Sequence, residues 1–318
     1  MSTNANLHKA KSAKDDEFFT QLSDVSRELM HYKKHFKDKV VFCNCDDPTW
    51  SAFWKYFHLN FKELGLKKLI STHYDRTQPT YKMEYMGGND NDIEEGIITP
   101  LEGNGDFRNK ECLDLLDESD ICCTNPPFSL FRQIISTLIE HDKKFLLIGN
   151  QNAITYKEIF PLIKNMKIWL GNHSGDMAFK VPADSEPRAT RFWIDETGQK
   201  WRSLGNACWF TNLDHKKRHE KVILWKTYSP EEYPKYDNYK AINVNKYTDI
   251  PADYYGAMGV PITFLDKYNP EQFEILGWSR HNSDNMDGGY WEGGKADATI
   301  NGKEVYRRLL IRRKEEKQ

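Results

Sequence analysis

The sequence predicts a doubly wound α/β fold built on a mostly parallel sheet. Three short apolar runs, each followed by polar or turn-forming residues, are typical of buried strands and occupy residues 40–43, 121–123 and 145–148. Two segments between them, 53–66 and 130–139, have apolar residues spaced three and four apart, as in helices that pack on a sheet. Alternation of strands and helices along a chain is characteristic of this fold class.

Composition excludes some classes of protein. The 318 residues carry 45 Lys and Arg against 47 Asp and Glu, a net charge of −2, so a nucleic-acid site must be a local patch. No apolar stretch approaches the roughly 18 residues that span a bilayer, and the polar N-terminus lacks the apolar core of a signal peptide. We therefore expect a soluble, cytoplasmic protein without a membrane partner. The six cysteines lack paired C-x2-C spacing and the histidines lack ligand spacing, so no metal is expected.

Polar loops follow all three predicted strands, at residues 44–48, 124–128 and 149–152. In a doubly wound sheet, ligands bind beyond the carboxyl ends of the strands. Asn and Asp in such positions also cap helices or close turns, so each loop taken alone has two interpretations. Three such loops on one edge of a sheet favour a binding site.

The loop Asn125-Pro126-Pro127-Phe128 has the chemistry to act on an amino group attached to a purine ring. The lone pair of such a nitrogen is delocalised, so an enzyme must polarise the group with hydrogen-bond acceptors. The side-chain oxygen of Asn125 and the backbone carbonyl of Pro126 are suitable acceptors, and Phe128 can stack on a base that has been flipped out of a duplex. In the alternative interpretation, the prolines start the following helix and Asn125 caps it.

An Asn-Pro-Pro sequence followed by an aromatic residue resembles the catalytic motif of amino-methyltransferases, which act on adenine N6, on guanine or on glutamine amides. The wider sequence resembles the EcoRI-type adenine DNA methyltransferases nearly from end to end. The segments that carry this resemblance are 16–21, 40–48, 105–108, 124–131, 241–245, 258–265 and 269–273. Agreement over such a length is more specific than a four-residue motif.

The resemblance implies a Rossmann-like methyltransferase sheet with a C-terminal target-recognition region. It also implies methyl transfer from S-adenosylmethionine to N6 of an adenine in duplex DNA, with Asn125, Pro126, Pro127 and Phe128 as catalytic residues. The enzyme would serve a restriction–modification system or act alone, and a cognate restriction endonuclease would be a genetic rather than a physical partner. The alternatives are an amino-methyltransferase that acts on RNA or a protein glutamine, and a DNA-binding protein that has lost catalysis.

Carried over residue by residue, the family's cofactor site falls on two segments and on the pair Asp106-Phe107; Asp75 is added because an acidic residue that closes the second strand often takes the ribose hydroxyls. These residues are Phe18, Phe19, Thr20, Asn44, Asp46, Asp47, Pro48, Asp75, Asp106 and Phe107. Carboxylates suit the ammonium and ribose hydroxyls of the cofactor. The alternatives are helix capping for Asp46 and Asp47, and a surface turn for residues 103–106. The loop at 43–48 also departs from most methyltransferases because it contains no glycine.

The resemblance also predicts how the chain is divided. Residues 1–35 would close over the cofactor, residues 36–213 would form the catalytic domain, and residues 214–318 would recognise the target. Predicted DNA contacts in the last region are Lys216, Lys217, Arg218 and Asn245. The segments 77–101, 176–205 and 279–298 depart most from the family pattern and are candidate recognition loops, so the target sequence is left open.

Overall fold

A nine-stranded sheet lies in the part of the chain that the computed structural model describes, residues 19–280 and 286–315. Its strands are β1 (Val40–Cys43), β2 (Lys68–Thr72), β3 (Tyr81–Tyr85), β4 (Ile97–Pro100), β5 (Ile121–Thr124), β6 (Lys144–Asn150), β7 (Trp169–Lys180), β8 (Phe192–Ile194) and β9 (Lys200–Thr211). Their order is β4-β3-β2-β1-β5-β6-β9-β7, and β8 pairs with β9. The predicted α/β fold class is therefore confirmed.

The centre of the sheet is parallel. Strand β1 pairs in parallel with β2 on one side and with β5 on the other, and β5 pairs in parallel with β6. The three strands expected from the sequence are thus neighbours. Strands β3 and β9 add antiparallel pairs at the two flanks. Because the chain moves outward from β1 in both directions, the switch point of the topology lies between β1 and β5, where doubly wound sheets bind ligands.

Helices cover both faces of this sheet. They are α1 (Leu22–Leu29), α2 (Ala52–Leu59), α3 (Phe61–Leu64), α4 (Lys110–Glu118) and α5 (Phe131–Glu140). Val25 of α1 and Phe53 of α2 share a core cluster with Val41 and Cys123, whereas Phe131 of α5 packs on Phe210 with ring centroids 4.9 Å apart.

The helix expected over residues 53–66 is in fact two short helices. At Asn60 the backbone leaves the helical region, with φ −113° and ψ 14°, and Gly65 ends α3 at φ 65°. A positive φ of this kind suits glycine at the end of a helix.

A buried carboxylate joins α1 to β7. Glu28 is fully buried and accepts hydrogen bonds from the backbone N–H groups of Asn172 at 2.6 Å and His173 at 2.9 Å. The hydroxyl of Tyr32 donates to the same carboxylate at 2.9 Å. A Cβ atom at Gly171 would lie 2.4 Å from Glu28 Oε1, so only glycine fits beneath this contact. The N-terminal helix is therefore fixed to the sheet by polar as well as apolar contacts.

The chain divides into two compact units. The first extends to Tyr156 and resumes at Ile168–Asp214, and the second comprises Lys157–Lys167 and the chain from His215 onward. The segment Lys157–Lys167 includes α6 (Phe160–Lys164), which packs on a strand of the second unit. Sequence analysis assigned this segment to the catalytic domain, since nothing in its local pattern indicates a distant partner.

The second unit is built on a smaller sheet. Its strands are β10 (Ile242–Asn243), β11 (Met258–Pro261), β12 (Phe273–Trp278) and β15 (Arg308–Arg313), in the order β10-β11-β15-β12, with a hairpin of β13 (Thr299–Ile300) and β14 (Lys303–Glu304) beside them in sequence. Its core includes Tyr236, Tyr239 and Leu310. No helix among the described residues of either unit has the length and apolar character needed to cross a membrane.

Candidate active site at the carboxyl edge of the sheet

The loops that follow β1 and β5 meet at the switch point. The two strands are neighbours, with Val41 opposite Ile121 and Phe42 opposite Cys122, so their carboxyl ends emerge side by side. The loop at 44–48 therefore contacts the loop at 125–128. The structure brings together the predicted catalytic motif and the first predicted cofactor loop.

Asp46 holds these two loops together. Its side chain is 3% exposed, and its carboxylate accepts a hydrogen bond from Ser51 Oγ at 2.7 Å and from the backbone N–H of Asn125 at 3.2 Å. The Thr124 hydroxyl contacts the same carboxylate and lies 2.8 Å from the Asn44 carbonyl oxygen. The Ser71 hydroxyl, at the end of β2, donates to the Asp46 carbonyl oxygen. One buried side chain thus connects the ends of β1 and β5.

Burial and hydrogen bonding act on Asp46 in opposite directions. Burial raises the pKa of its carboxyl to about 6, while hydrogen bonds from Thr124, Ser51 and Asn125 limit the rise. The three hydrogen bonds favour the ionised form and offset part of the effect of burial, which is the larger of the two.

The turn before Asp46 is strained. Cys45 has φ 101°, a backbone conformation that glycine adopts readily and other residues rarely do. The loop lacks glycine in sequence and yet keeps a glycine-like bend in space. Neither this bend nor the hydroxyls of Ser51, Ser71 and Thr124 stand out in the sequence, because serine and threonine that cap a helix or end a strand commonly have a purely structural role.

The predicted catalytic motif is half-buried and precedes a helix without capping it. Pro126 is buried, Asn125, Pro127 and Phe128 are partly buried, and Phe128 packs against the core cluster. A short 3-10 turn, Phe128–Leu130, leads into α5, and no side chain caps the first turn of that helix. The alternative in which Asn125 caps the helix is therefore wrong.

Two predicted cofactor residues have polar side-chain atoms that the rest of the described chain does not satisfy. Asn44 is 1% exposed, and among the described residues neither its amide nitrogen nor its amide oxygen has a hydrogen-bond partner. The buried hydroxyl of Thr20 likewise has no hydrogen-bond partner within residues 19–280 and 286–315. A buried polar group without a partner is costly, so a polar ligand that hydrogen-bonded to these atoms would stabilise this part of the fold. These residues fit a polar cofactor at this edge.

The N-terminal segment reaches the same edge. Phe19 forms a two-way backbone bridge with Lys180 at the end of β7, with N–O distances of 2.8 and 3.1 Å. Its ring meets that of Trp50 edge-on, with centroids 4.4 Å apart. Trp50 lies in the loop after β1, which also contains buried Pro48, so the segment contacts the predicted cofactor loop. Phe18 lies outside the described residues.

The remaining acidic candidates lie in adjoining loops. Asp47 contacts His73 Nδ1 at 2.6 Å, and Ser51 rather than either aspartate caps α2. The backbone N–H groups of Thr77 and Gln78 hydrogen-bond to the Asp75 carboxylate and lower its pKa to about 2. The Asp75 N–H in turn donates to Asn104 O at 3.2 Å, which connects this loop to the turn before Asp106.

Asp106 and Phe107 form a compact turn. The Asp106 carboxylate accepts from Arg108 Nε at 2.8 Å, and this ion pair lowers its pKa. Phe107 is 4% exposed, and the Arg108 guanidinium lies 5.5 Å from its ring centroid. Gly105 has φ 73°, and a Cβ there would lie 2.3 Å from the His73 carbonyl oxygen. The turn is thus pressed against the segment that follows β2.

The predicted DNA contacts belong to the second unit. Lys216, Lys217 and Arg218 form the 3-10 turn Lys216–His219, in which Lys217 Nζ pairs with Asp266 Oδ1 at 2.7 Å. Asn245 is exposed, and its Oδ1 accepts from Asn243 Nδ2 at 3.0 Å. Within the described residues, no group of three or more His, Cys, Asp or Glu side chains has the arrangement of a metal site.

Comparison with known proteins agrees with this geometry. The family model described as "Adenine-specific methyltransferase EcoRI" matches residues 6–314. The type II methyltransferase M.EcoRI of Escherichia coli is 48% identical over 98% of both chains. M.MpnI of Mycoplasma pneumoniae is 39% identical over 85% of this chain and 84% of its own, and M.MgeORF184P of Mycoplasma genitalium is 36% identical over 97% and 99%. No solved structure matches.

These similarities confirm the predicted class of enzyme, a site-specific DNA methyltransferase that modifies adenine. Methyltransferases of this family use S-adenosylmethionine in general. The chain belongs to the EcoRI family of adenine-specific methyltransferases.

Proposed function

We propose that this enzyme transfers a methyl group from S-adenosylmethionine to N6 of an adenine that is flipped out of duplex DNA into the Asn125–Phe128 loop. The observation that carries the proposal is the contact of the Asp46 carboxylate with the Asn125 N–H at 3.2 Å. This contact fixes the catalytic loop beside Asn44, whose buried amide lacks a partner in the described chain. The base would thus be held by the Asn125–Phe128 loop and the methyl donor by the loop that contains Asn44, and the Asp46 side chain connects the two loops.

The loop acts by accepting hydrogen bonds from the adenine amino group. The Asn125 side-chain oxygen and the Pro126 carbonyl oxygen would each accept a hydrogen bond from one of the two amino hydrogens. These hydrogen bonds increase the electron density on N6 as the methyl group approaches. Pro126 has no N–H of its own, and its ring restricts the backbone that aims the carbonyl. Phe128 would stack on the flipped base in place of its neighbours in the duplex. After transfer the nitrogen carries a positive charge and is acidic, so it would lose a proton to water, and S-adenosylhomocysteine would be the leaving group.

The cofactor site would be formed by the loops around β1 and β2. Asn44 and Thr20 would supply polar contacts, with Phe18, Phe19 and Pro48 as apolar walls and Asp46 and Asp47 as the nearby negative charge. When bound, the cofactor supplies a methyl group on a positively charged sulfur. Asp75 would receive ribose hydroxyls through the oxygen that does not accept from Thr77 and Gln78. Asp106 and Phe107 would contact the adenine ring of the cofactor, since an ionised carboxylate can accept further hydrogen bonds beyond those from Arg108.

Residues 214–318 would recognise the target sequence. Residues 1–35 would close over the cofactor, and residues 36–213 would form the catalytic domain. Lys216, Lys217 and Arg218 would contact phosphates, and exposed Asn245 has an amide of the kind that reads adenine in a groove. We further infer that the enzyme works in the cytoplasm, alone or with a restriction endonuclease that it does not bind.

The experiment is methylation of unmodified duplex DNA with tritiated S-adenosylmethionine, followed by digestion to nucleosides. We expect label in N6-methyldeoxyadenosine, whereas label in N6-methyladenosine would indicate an RNA substrate. Asn125→Ala should lower the rate by about 10²- to 10³-fold, the usual effect of removing one group that stabilises developing charge, while calorimetry shows unchanged cofactor binding. Asn60→Ala, at the junction of α2 and α3, is the matched control and should retain full activity. Label in another nucleoside, or full activity of Asn125→Ala, would contradict the proposal.

A further inference from the structure

An extended segment of the second unit, residues 220–226, exposes two large apolar side chains. Ile223 is 84% exposed and Trp225 is 67% exposed. Side chains alternate along an extended backbone, and the more exposed positions here are Lys221, Ile223 and Trp225. The Lys226 ammonium lies 4.7 Å from the Trp225 ring centroid. The segment thus presents a small apolar surface, Ile223 and Trp225, with lysines on both sides in sequence.

The protein holds this segment in place. The Gln272 amide accepts from Val222 N at 2.6 Å and donates to Val222 O at 3.0 Å, as a neighbouring strand would. Asn269 Nδ2 donates to Glu220 O at 3.2 Å, and Ala252 N donates to Lys226 O at 2.8 Å. Contacts at both ends and in the middle therefore keep the apolar pair directed outward.

The surroundings of the apolar pair are strongly basic. Residues 215–226 contain five lysine and arginine residues and one acidic residue, Glu220. A cleft of about 310 Å³ beside the pair is lined by Lys217, Lys221 and Lys267 and also by two acidic residues, Glu220 and Asp266, of which Asp266 pairs with Lys217 at 2.7 Å. Chain-wide charge is nearly balanced at −2, so this concentration of positive charge is local. A local basic patch is the electrostatic signature of a phosphate-bearing partner.

We propose that Ile223 and Trp225 contact the bases or sugars of duplex DNA, while the lysines around them contact the phosphates. The inference rests on the proposed function, since DNA is the substrate of this family. A second copy of the chain fits less well, because a symmetric dimer through this surface would place the lysines of one copy against those of the other. Duplex DNA offers both an anionic backbone and apolar base and sugar surfaces, so it complements every part of the patch.

Apolar and ionic contacts to DNA have different dependences on salt. A lysine that neutralises a phosphate releases counterions, so its removal lowers the slope of log affinity against log salt by about 1. An aromatic contact releases none, and its removal weakens binding at every salt concentration without changing the slope. Loss of an aromatic side chain that buries part of its apolar surface against DNA should weaken binding by roughly 10-fold. The two kinds of contact can therefore be separated within one titration.

The test is fluorescence anisotropy of the full-length protein with a labelled duplex that the enzyme methylates, at several salt concentrations. We expect Trp225→Ala and Ile223→Ala to bind more weakly than wild type with an unchanged salt slope, and Lys221→Ala to bind more weakly with a reduced slope. Tyr306→Ala is the matched control, since Tyr306 is 78% exposed elsewhere in the same unit, and it should bind as wild type does. Melting temperatures should be equal for all variants.

Wild-type affinity and slope in both Trp225→Ala and Ile223→Ala would overturn the inference and leave the proposed function intact. So would a wild-type dimer in sedimentation that becomes monomeric in Trp225→Ala, because the surface would then belong to a second copy. Failure of the wild-type protein to bind or methylate any duplex would instead overturn the proposed function, on which the inference rests.

Discussion

The carboxylate of Asp46 accepts a hydrogen bond from the backbone N–H of Asn125 at 3.2 Å. These residues are far apart in sequence and belong to the loops after β1 and β5. The contact means that the loop predicted to hold the adenine is positioned by the loop predicted to hold the methyl donor. A substitution of Asp46 should therefore change the rate of methyl transfer as well as the affinity for the cofactor.

Asp46→Asn should lower the single-turnover rate of methyl transfer and remove part of its pH dependence. Protonation of the wild-type carboxyl, whose pKa is raised to about 6, replaces an acceptor by a donor and weakens the hold on Thr124 and Asn125. The wild-type rate should thus fall as the pH drops through 6, and this fall should be absent from the variant. Asp114→Asn, on the exposed face of α4, is the control. A fall near pH 6 that persists in Asp46→Asn would exclude this role.

The same shift predicts how stability depends on pH. Because folding raises the pKa of the Asp46 carboxyl, its protonated form stabilises the folded state. This contribution is complete below the pKa in the unfolded chain, near 4, and is lost as the pH rises through about 6. Relative to Asp46→Asn, the wild-type free energy of unfolding should therefore be higher at pH 4.5 than at pH 8, by on the order of 2 kcal/mol. Denaturant titrations of both proteins at the two pH values measure this difference. If wild type and Asp46→Asn differ by the same free energy of unfolding at pH 4.5 and at pH 8, the pKa of Asp46 is not raised.

Cys45→Gly should be more stable than Cys45→Ala by about 1 kcal/mol, because only glycine relieves the strain of φ 101°. Both variants remove the sulfur, so their comparison isolates the backbone effect. Thermal or denaturant unfolding provides the measurement. If Cys45→Ala is the more stable of the two, the bend carries no strain.

Asn44→Ala should weaken cofactor binding by about 10-fold, the effect of removing a hydrogen-bonding group from a buried site. The protein without cofactor should lose no stability, since the Asn44 amide has no partner within the described residues to lose. Calorimetry with S-adenosylmethionine and a melting curve without it test the two halves separately. Unchanged affinity together with a lower melting temperature would show that Asn44 is structural.

Glu28→Ala should lower the free energy of unfolding by about 3 kcal/mol, because it leaves the buried N–H groups of Asn172 and His173 without their acceptor. Glu63→Ala is the control, since Glu63 is a 60% exposed partner of Lys33 and should contribute less than about 0.5 kcal/mol. Urea unfolding of both variants measures the contrast. Similar losses in the two would mean that α1 is held by its apolar face alone.

Local pattern was enough to predict the centre of the fold and the catalytic motif. The strands β1, β5 and β6 are apolar runs of the right length, and α5 has an unbroken helical spacing, so each is specified by its own residues. The motif Asn125-Pro126-Pro127-Phe128 and the long agreement with the EcoRI family likewise need no coordinates. The sequence by itself thus determined the class of fold and the family, and it predicted the loop where chemistry should occur.

Tertiary structure decided what depends on residues that are distant in sequence. Asp46 could be nominated from its position, but its contact with Asn125 exists only because β1 and β5 are neighbours in the sheet. Glu28 is buried under β7, and Lys157–Lys167 belongs to the second unit. Both features likewise depend on contacts between segments that are distant in sequence. Hydrogen bonds and burial between remote segments leave no periodic signal along the chain, whereas the apolar spacing of a strand or helix does, and this is why the two kinds of feature differ in what could be predicted.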